Sequence, residues 1–135
     1  MNIRWLLLVL FFSSNACTDK ILVPPVDYIQ VTDPGKYNMK IIPQPATTAD
    51  NVKLVIADDC QYNLLSGVTK DGTTITVEKH FNSMMKLACM IRNDTIVIGK
   101  LAVGNYTIHY KLLDLSTQVK DPVALAISFN LQIVK

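Results

Sequence analysis

Residues 94–114, DTIVIGKLAVGNYTIHYKLLD, decide the fold that this sequence predicts. Over residues 106–112, apolar residues occupy every second position and polar residues lie between them. This period is typical of a β-strand with one buried face and one solvated face. Ile96 and Ile98 alternate in the same way among β-branched neighbours, which favours a second strand. The stretch therefore predicts two strands joined by a short connection.

The connection between these strands contains Gly104 two residues before Tyr106. A glycine can adopt the positive φ of a tight corner, and a tyrosine placed after it can bury its ring and hydrogen-bond to backbone. The pattern resembles the tyrosine corner of immunoglobulin-like sandwiches. It implies an architecture and carries no information about function.

Further short strands are expected on both sides of the central stretch. A tight turn is predicted at Asp71-Gly72, and a hairpin turn at 92–94. The strands are predicted over residues 26–31, 37–42, 52–57, 73–79, 87–91, 95–98, 106–112 and 125–134. Seven to nine short strands predict an all-β fold, an immunoglobulin-like two-sheet antiparallel sandwich over residues 26–135.

The amino terminus has the pattern of a secretory signal peptide over residues 1–16. Arg4 precedes an unbroken apolar run at 5–12, and small or polar residues follow up to Ala16. The run is shorter than the roughly 20 residues that a transmembrane helix needs. A buried amino-terminal strand is the alternative interpretation.

Cys17 follows Ala16 directly and predicts a site of lipid attachment. The junction resembles the relaxed lipobox of Bacteroidetes-type envelope lipoproteins. That resemblance implies a membrane anchor on Cys17, a tether over residues 17–25 and a place in the bacterial outer membrane. An acidic run after the lipidated cysteine is often linked to surface export in such bacteria. Thr18-Asp19-Lys20 offers one acid beside one base, which favours the periplasmic side. Ordinary signal-peptidase cleavage, which would leave Cys17 as a free thiol, is the alternative.

If Cys17 carries lipid, Cys60 and Cys89 remain as an even pair. In an exported protein such a pair predicts a disulfide, with two buried free thiols as the alternative. Neither thiol lies near a histidine or in a CxxC motif, so no metal site and no cofactor are expected.

Residues 81–86 combine apolar residues at helical spacing with closely spaced flanking strands. We expect a loop or a single helical turn there, followed by the strand at 87–91. The Met84-Met85 pair is interpreted as capping one end of the core. A flexible partner-binding loop is the other interpretation, because methionine adapts to many surfaces.

No catalytic constellation is evident. His80 and His109 fall at a strand end and on a solvated strand face, so both are interpreted as surface histidines. Asp58-Asp59 is interpreted as a solvated turn, because adjacent strand residues point to opposite faces. No nucleophile elbow or phosphate loop is present. We expect a protein that is not an enzyme.

Residues 94–96, Asp-Thr-Ile, resemble the short O-glycosylation signal of Bacteroidetes, which would place a glycan on Thr95. Two N-glycosylation sequons, at Asn93 and Asn105, would matter only in a eukaryotic secretory pathway.

The whole chain predicts a cell-envelope lipoprotein that binds another envelope protein or a glycan. A net charge of +2 gives no electrostatic case for nucleic acid. A secreted protease inhibitor and a structural subunit of a surface assembly are the alternatives.

Overall fold

The computed structural model describes residues 25–116 and 122–135. The predicted signal peptide at 1–16 and the predicted lipid site at Cys17 lie outside these ranges. Nine strands and two one-turn 3₁₀ helices lie within them. The strands are β1 (Ile29–Gln30), β2 (Met39–Ile42), β3 (Ala46–Thr47), β4 (Val52–Cys60), β5 (Leu64–Asp71), β6 (Thr74–Phe81), β7 (Ile91–Gly99), β8 (Gly104–Asp114) and β9 (Val123–Val134). The 3₁₀ helices are Pro34–Tyr37 and Ser83–Met85.

The strands form two sheets. The larger sheet has the order β1-β9-β8-β6-β5, with β3 also paired to β9. The smaller sheet has the order β2-β4-β7. The predicted all-β, two-sheet sandwich is therefore confirmed.

The expectation of purely antiparallel sheets holds for the smaller sheet and is wrong for the larger sheet. β6 and β8 pair in parallel, and both β1 and β3 pair in parallel with β9. The β6–β8 pair is parallel because β7, which lies between them in the chain, crosses to the smaller sheet. A parallel pair needs such a crossover, whereas a hairpin can join only antiparallel strands.

The core lies between the two sheets and consists of the alternating apolar side chains. Tyr106, Ile108 and Tyr110 of β8 are buried, as the period of the central stretch predicts. They face Leu54 and Ile96 of the smaller sheet, within the same hydrophobic cluster. Burying a side chain of this size contributes roughly 1.5–3 kcal/mol, so the strand pattern and the packing support each other.

The predicted corner is present. Gly104 has φ 156°, and the Tyr106 hydroxyl donates a hydrogen bond to the Ala102 carbonyl oxygen at 3.2 Å. The tight turn at Asp71-Gly72 also forms, with Gly72 at φ 57° between β5 and β6.

The predicted strand at 87–91 and the turn at 92–94 are wrong. β7 begins only at Ile91, and Arg92 and Asp94 lie inside it, opposite Asp59 and Ile56 of β4. The polar run suggested a turn, but these residues form an edge strand whose outer face meets water. A polar sequence is typical of such an edge.

The single helical turn expected within 81–86 is confirmed as the 3₁₀ helix Ser83–Met85. The interpretation of the methionine pair as a cap on the core is wrong, because Met84 and Met85 are 49% and 58% exposed. Asn82 caps the turn by accepting a hydrogen bond from the Met84 N–H at 3.0 Å. The turn thus presents both methionines to the surface.

Cys60 and Cys89 form the predicted disulfide, with their Cα atoms 5.5 Å apart. Cys60 ends β4 and Cys89 lies in the connection before β7. The bond therefore lies at one end of the sandwich and does not cross the core between inward strand faces. It ties the connection 86–90 to the sheet that the connection leads into.

Replacing both cysteines by alanine should lower the free energy of unfolding by about 3–4 kcal/mol, because the bond closes a loop between residues 29 apart. Urea denaturation under oxidising conditions measures this loss. A reductant should lower the wild-type value to that of the variant and leave the variant unchanged. Equal stabilities of oxidised wild type and variant would contradict a stabilising bridge.

Candidate functional site

An apolar cleft of about 440 Å³ opens at the disulfide end of the sandwich. Its wall combines the start of β5, the end of β6 and the 3₁₀ turn with the connection that follows it. The apolar lining residues are Cys60, Tyr62, Leu64, Phe81, Met85, Leu87 and Leu115. Asn63, His80, Asn82, Ser83 and Lys86 supply the polar lining. We call this feature the apolar cleft.

Large apolar side chains around the apolar cleft are unusually exposed. Leu64 and Leu115 are each 52% exposed, and Leu87 is 48% exposed. Met90 and Ile91, which follow the cleft-lining connection in the chain, are also exposed. A contiguous exposed apolar surface on a small domain often marks an interaction site.

Hydrogen bonds to polar side chains fix the floor and wall of the cleft. The Asp114 carboxylate accepts a bond from the Ser83 N–H at 3.0 Å and holds the 3₁₀ turn against the end of β8. Asn63 bonds to Asp59 through its side-chain nitrogen at 2.7 Å. The exposed methionines therefore project from a turn whose first residue is held by Asp114.

Ser66 and His80 form a pair at the edge of this end. The Ser66 hydroxyl and His80 Nδ1 lie 2.6 Å apart, across a bulge in β5. A serine nucleophile also needs a base oriented by a third group. Within the described ranges no carboxylate is hydrogen-bonded to this ring, and the pair by itself is not a catalytic site.

A cluster of three charged side chains adjoins the cleft, because Asp59 is bonded to the lining residues Cys60 and Asn63. Lys79 of β6 points between the sheets and is fully buried. Its Nζ contacts Asp59 of β4 and lies 2.5 Å from Oδ2 of Asp94 in β7. The cluster thus connects the larger sheet to two strands of the smaller sheet, and we call it the inter-sheet charge cluster.

The interpretation of Asp58-Asp59 as a solvated turn is wrong for Asp59, which is only 7% exposed. Asp58 adopts the left-handed conformation at φ 56°, and the pairing of β4 with β7 is irregular there. This bulge turns Asp59 inward after the regular alternation of β4. The alternation of apolar and polar residues in β6 puts Lys79 on the inward face. This alternation is the signal in the sequence that a charge is buried there.

Lys79 and Asp59 are buried while Asp94 is partly exposed, and the electrostatics of the cluster reflect this. Burial raises the pKa of the Tyr110 hydroxyl, and the carboxylates of Asp59 and Asp94 raise it further. Burial opposes ionisation of Asp94, but the hydrogen bond and charge of Lys79 outweigh it and lower the pKa of that carboxyl group. The site therefore combines an amine with two carboxyl groups in an apolar environment.

The other predicted site residues are not brought together. Thr95 is exposed on β7, where a glycan would be accessible, and its glycosylation stays a prediction. Gly104 and Tyr106 lie at the corner where β8 begins, remote in the fold from the apolar cleft at the end of β8. Of the residues that the sequence singled out, Cys60, His80 and Met85 line the cleft.

His109 lies on the outer face of β8, as the sequence predicts, and is partly exposed there. Its ring stacks on Tyr28 with centroids 4.0 Å apart and an interplanar angle of 20°. Burial beneath this ring lowers the pKa of His109 below its ordinary value of 6.5.

Comparison with known proteins identifies no relative. The chain matches no protein-family model, no curated protein and no solved structure. Among residues 25–116 and 122–135, no three His, Cys, Asp or Glu side chains are grouped to hold a metal ion. No helix in the same ranges is long and apolar enough to span a membrane.

The lowered pKa of His109 predicts a pH dependence of stability. As the pH falls below about 6.5, the unfolded chain takes up a proton at His109 more readily than the folded chain does. The free energy of unfolding therefore decreases as the pH is lowered. His109→Gln should flatten this fall between about pH 8 and pH 5. Denaturant titrations of both chains measure the slopes. His80 is present in both, so identical slopes would contradict the assignment to His109.

Proposed function

We propose that the protein is a cell-envelope lipoprotein and a non-catalytic interaction module. It binds an apolar segment of another envelope protein in the apolar cleft. Cys17 anchors it to the membrane, and residues 1–16 direct its export. The pattern of residues 1–17 supports the location, and the apolar cleft supports the mode of action.

The single observation that carries the binding role is the exposed apolar lining of the cleft. Exposed apolar surface of this kind is unfavourable in water, and a partner that covers it removes this free-energy cost. Met85 is flexible and polarizable, which suits it to contact with a partner of irregular shape. The hydrogen-bonded backbone of the cleft and the flexible side chain of Met85 together favour a peptide segment as the bound partner.

The position of the cleft relative to the proposed anchor supports a membrane-proximal partner. β1 runs parallel to β9, so Pro25 lies beside Val123, where β9 begins. Val123 pairs with Leu113 at the end of β8, which is the cleft end of the sandwich. The segment 17–25 spans at most about 30 Å when extended. A partner in the cleft would therefore lie close to the membrane surface.

The chemistry of the lining favours a protein over a glycan. Aliphatic side chains such as Leu64, Leu87 and Leu115 offer few hydrogen bonds to sugar hydroxyls. The protease-inhibitor role stays a prediction, since it rests on size and compartment.

A structural role in a surface assembly is the second candidate, and one observation favours it. β7 is nine residues long and forms an edge of the smaller sheet. Ile91 and Val97 on this strand are 67% and 53% exposed. A long edge strand can accept a strand from another molecule.

A photoreactive amino acid placed at Leu87 in native host cells tests the binding role. We expect one discrete adduct with an envelope protein, because Leu87 lines the cleft. The control position is Val103, which is similarly exposed, at 52%, but lies at the opposite end of the sandwich. Adducts should be absent there.

The same experiment separates the candidates. Adducts of this chain with itself from position Val97, and none from Leu87, would favour the surface assembly. A glycan retained by the purified protein and lost in the variant Leu87→Lys would contradict a protein partner. Equal labelling from Leu87 and Val103 would contradict a specific cleft.

A further inference from the structure

The inter-sheet charge cluster buries its lysine more deeply than a salt bridge requires. The inward positions of β6 before Lys79 are Ile75 and Val77, so the lysine reaches its partners through an apolar core. Transferring a charged amine and a carboxylate from water into such a site is costly even when they pair. Any reaction that turns both groups into a neutral product would remove that cost.

The carboxyl group of Asp59 is held in the orientation of an electrophile. Its Oδ1 accepts hydrogen bonds from the Cys60 N–H at 3.0 Å and from the Asn63 side-chain nitrogen at 2.7 Å. Its other oxygen, Oδ2, faces Nζ of Lys79. Two donors on one oxygen stabilise the negative charge that develops there when a nucleophile attacks the carbon.

Asp94 is placed to move protons at the same site. Its Oδ2 lies 2.5 Å from Nζ of Lys79, while its Oδ1 accepts a bond from the Thr95 N–H at 2.9 Å. The side chain of Asp94 is 25% exposed, whereas that of Lys79 is fully buried. A base within hydrogen-bond reach of the proton that it abstracts meets the geometric requirement for acid–base catalysis. Its partial exposure also gives a released water molecule a route to solvent.

We propose that Lys79 and Asp59 condense without an external enzyme into an intramolecular amide that covalently joins the two sheets. One proton first passes from the Nζ ammonium to Oδ2 of Asp59, which gives a neutral amine and a neutral carboxylic acid. Nζ then attacks Cγ, and the oxyanion on Oδ1 is held by Cys60 and Asn63. Asp94 takes a proton from Nζ and returns it to Oδ2.

All the atoms, protons and electrons of this reaction are supplied by the chain itself. The Nζ–Cγ bond forms, the Cγ–Oδ2 bond breaks, and Oδ2 leaves with two protons as water. Asp94 ends in its original ionised form, and no oxidant, reductant or cofactor takes part. The folded state holds the reacting groups in contact, which replaces the entropy cost of a bimolecular encounter.

The product fits the same surroundings. Oδ1 becomes the amide oxygen and keeps its two donors, and the new amide N–H can donate to Asp94. The bond would link β6 of the larger sheet to β4 of the smaller sheet, next to the Cys60–Cys89 disulfide. The cleft end of the sandwich would then carry two covalent cross-links.

A second lysine–carboxylate pair serves as an internal control. Nζ of Lys111 lies 2.5 Å from Oε2 of Glu78, but both side chains are partly exposed, at 22% and 32%. Water reaches both charged groups, and the contact is a salt bridge at the surface. We expect this pair to stay unlinked.

The test is the reduced intact mass of the full chain, compared with that of Lys79→Arg produced in the same way. Arginine keeps the positive charge but stays protonated and is not a nucleophile. After correction for the substitution, wild type should be lighter by one water molecule. Tandem mass spectrometry of peptides should find a branched peptide that joins Lys79 to Asp59, with Lys111 unlinked. Asp94→Asn should leave most molecules at the uncondensed mass.

The result stands on wild type even where a variant fails to fold, because the branched peptide is sought in the wild-type chain. A folded wild-type protein without the loss of water overturns the proposal. A link from Lys79 to Asp94 overturns the assignment of Asp59 as the electrophile. Full condensation in Asp94→Asn overturns the proton-transfer role of Asp94.

Discussion

The contact of Lys79 with Asp59 and Asp94 is the constraint on which the rest of the sandwich depends. A β-sandwich gains stability by burying apolar faces, and the hydrophobic effect that drives this burial is non-directional. A charge placed between the sheets adds a directional requirement, because an unpaired buried lysine or aspartate is strongly unfavourable. One amine in β6 must meet carboxylates in β4 and β7, and that requirement fixes how the two sheets face each other.

The same residues connect this constraint to the apolar cleft. Asp59 immediately precedes Cys60, and Asn63, which bonds to Asp59, lines the cleft. The floor of the cleft is therefore anchored to the inter-sheet charge cluster, while the disulfide holds the connection that leads into β7. The 3₁₀ turn with its exposed methionines is mounted on this anchored base. A rigid floor lowers the ordering cost of binding, and an adaptable rim widens the range of partner shapes.

The sequence predicts the parts of this arrangement that depend on local pattern. The alternation in β8, the Asp71-Gly72 turn, the corner at Tyr106 and the single turn at 83–85 follow from the period and turn chemistry of nearby residues. The start of β7 was misplaced because a polar edge strand and a polar turn have the same composition. The burial of Asp59 depends on a bulge at Asp58, and the cleft depends on segments 62–64, 81–87 and 115 that are distant in sequence. Tertiary contacts of that kind leave no periodic signal in a single chain.

The role of Lys79 in holding the two sheets together is tested most directly by comparing the free energies of unfolding of Lys79→Met and Lys111→Met. Both changes remove a lysine from a carboxylate contact, but Lys79 is buried between the sheets and Lys111 is partly exposed at the surface. Lys79→Met should lower the free energy of unfolding by about 3–5 kcal/mol, because Asp59 would be left buried without its partner. Lys111→Met should lower it by at most about 1 kcal/mol. Equal losses in the two variants would contradict the claim that the two sheets are held together through Lys79.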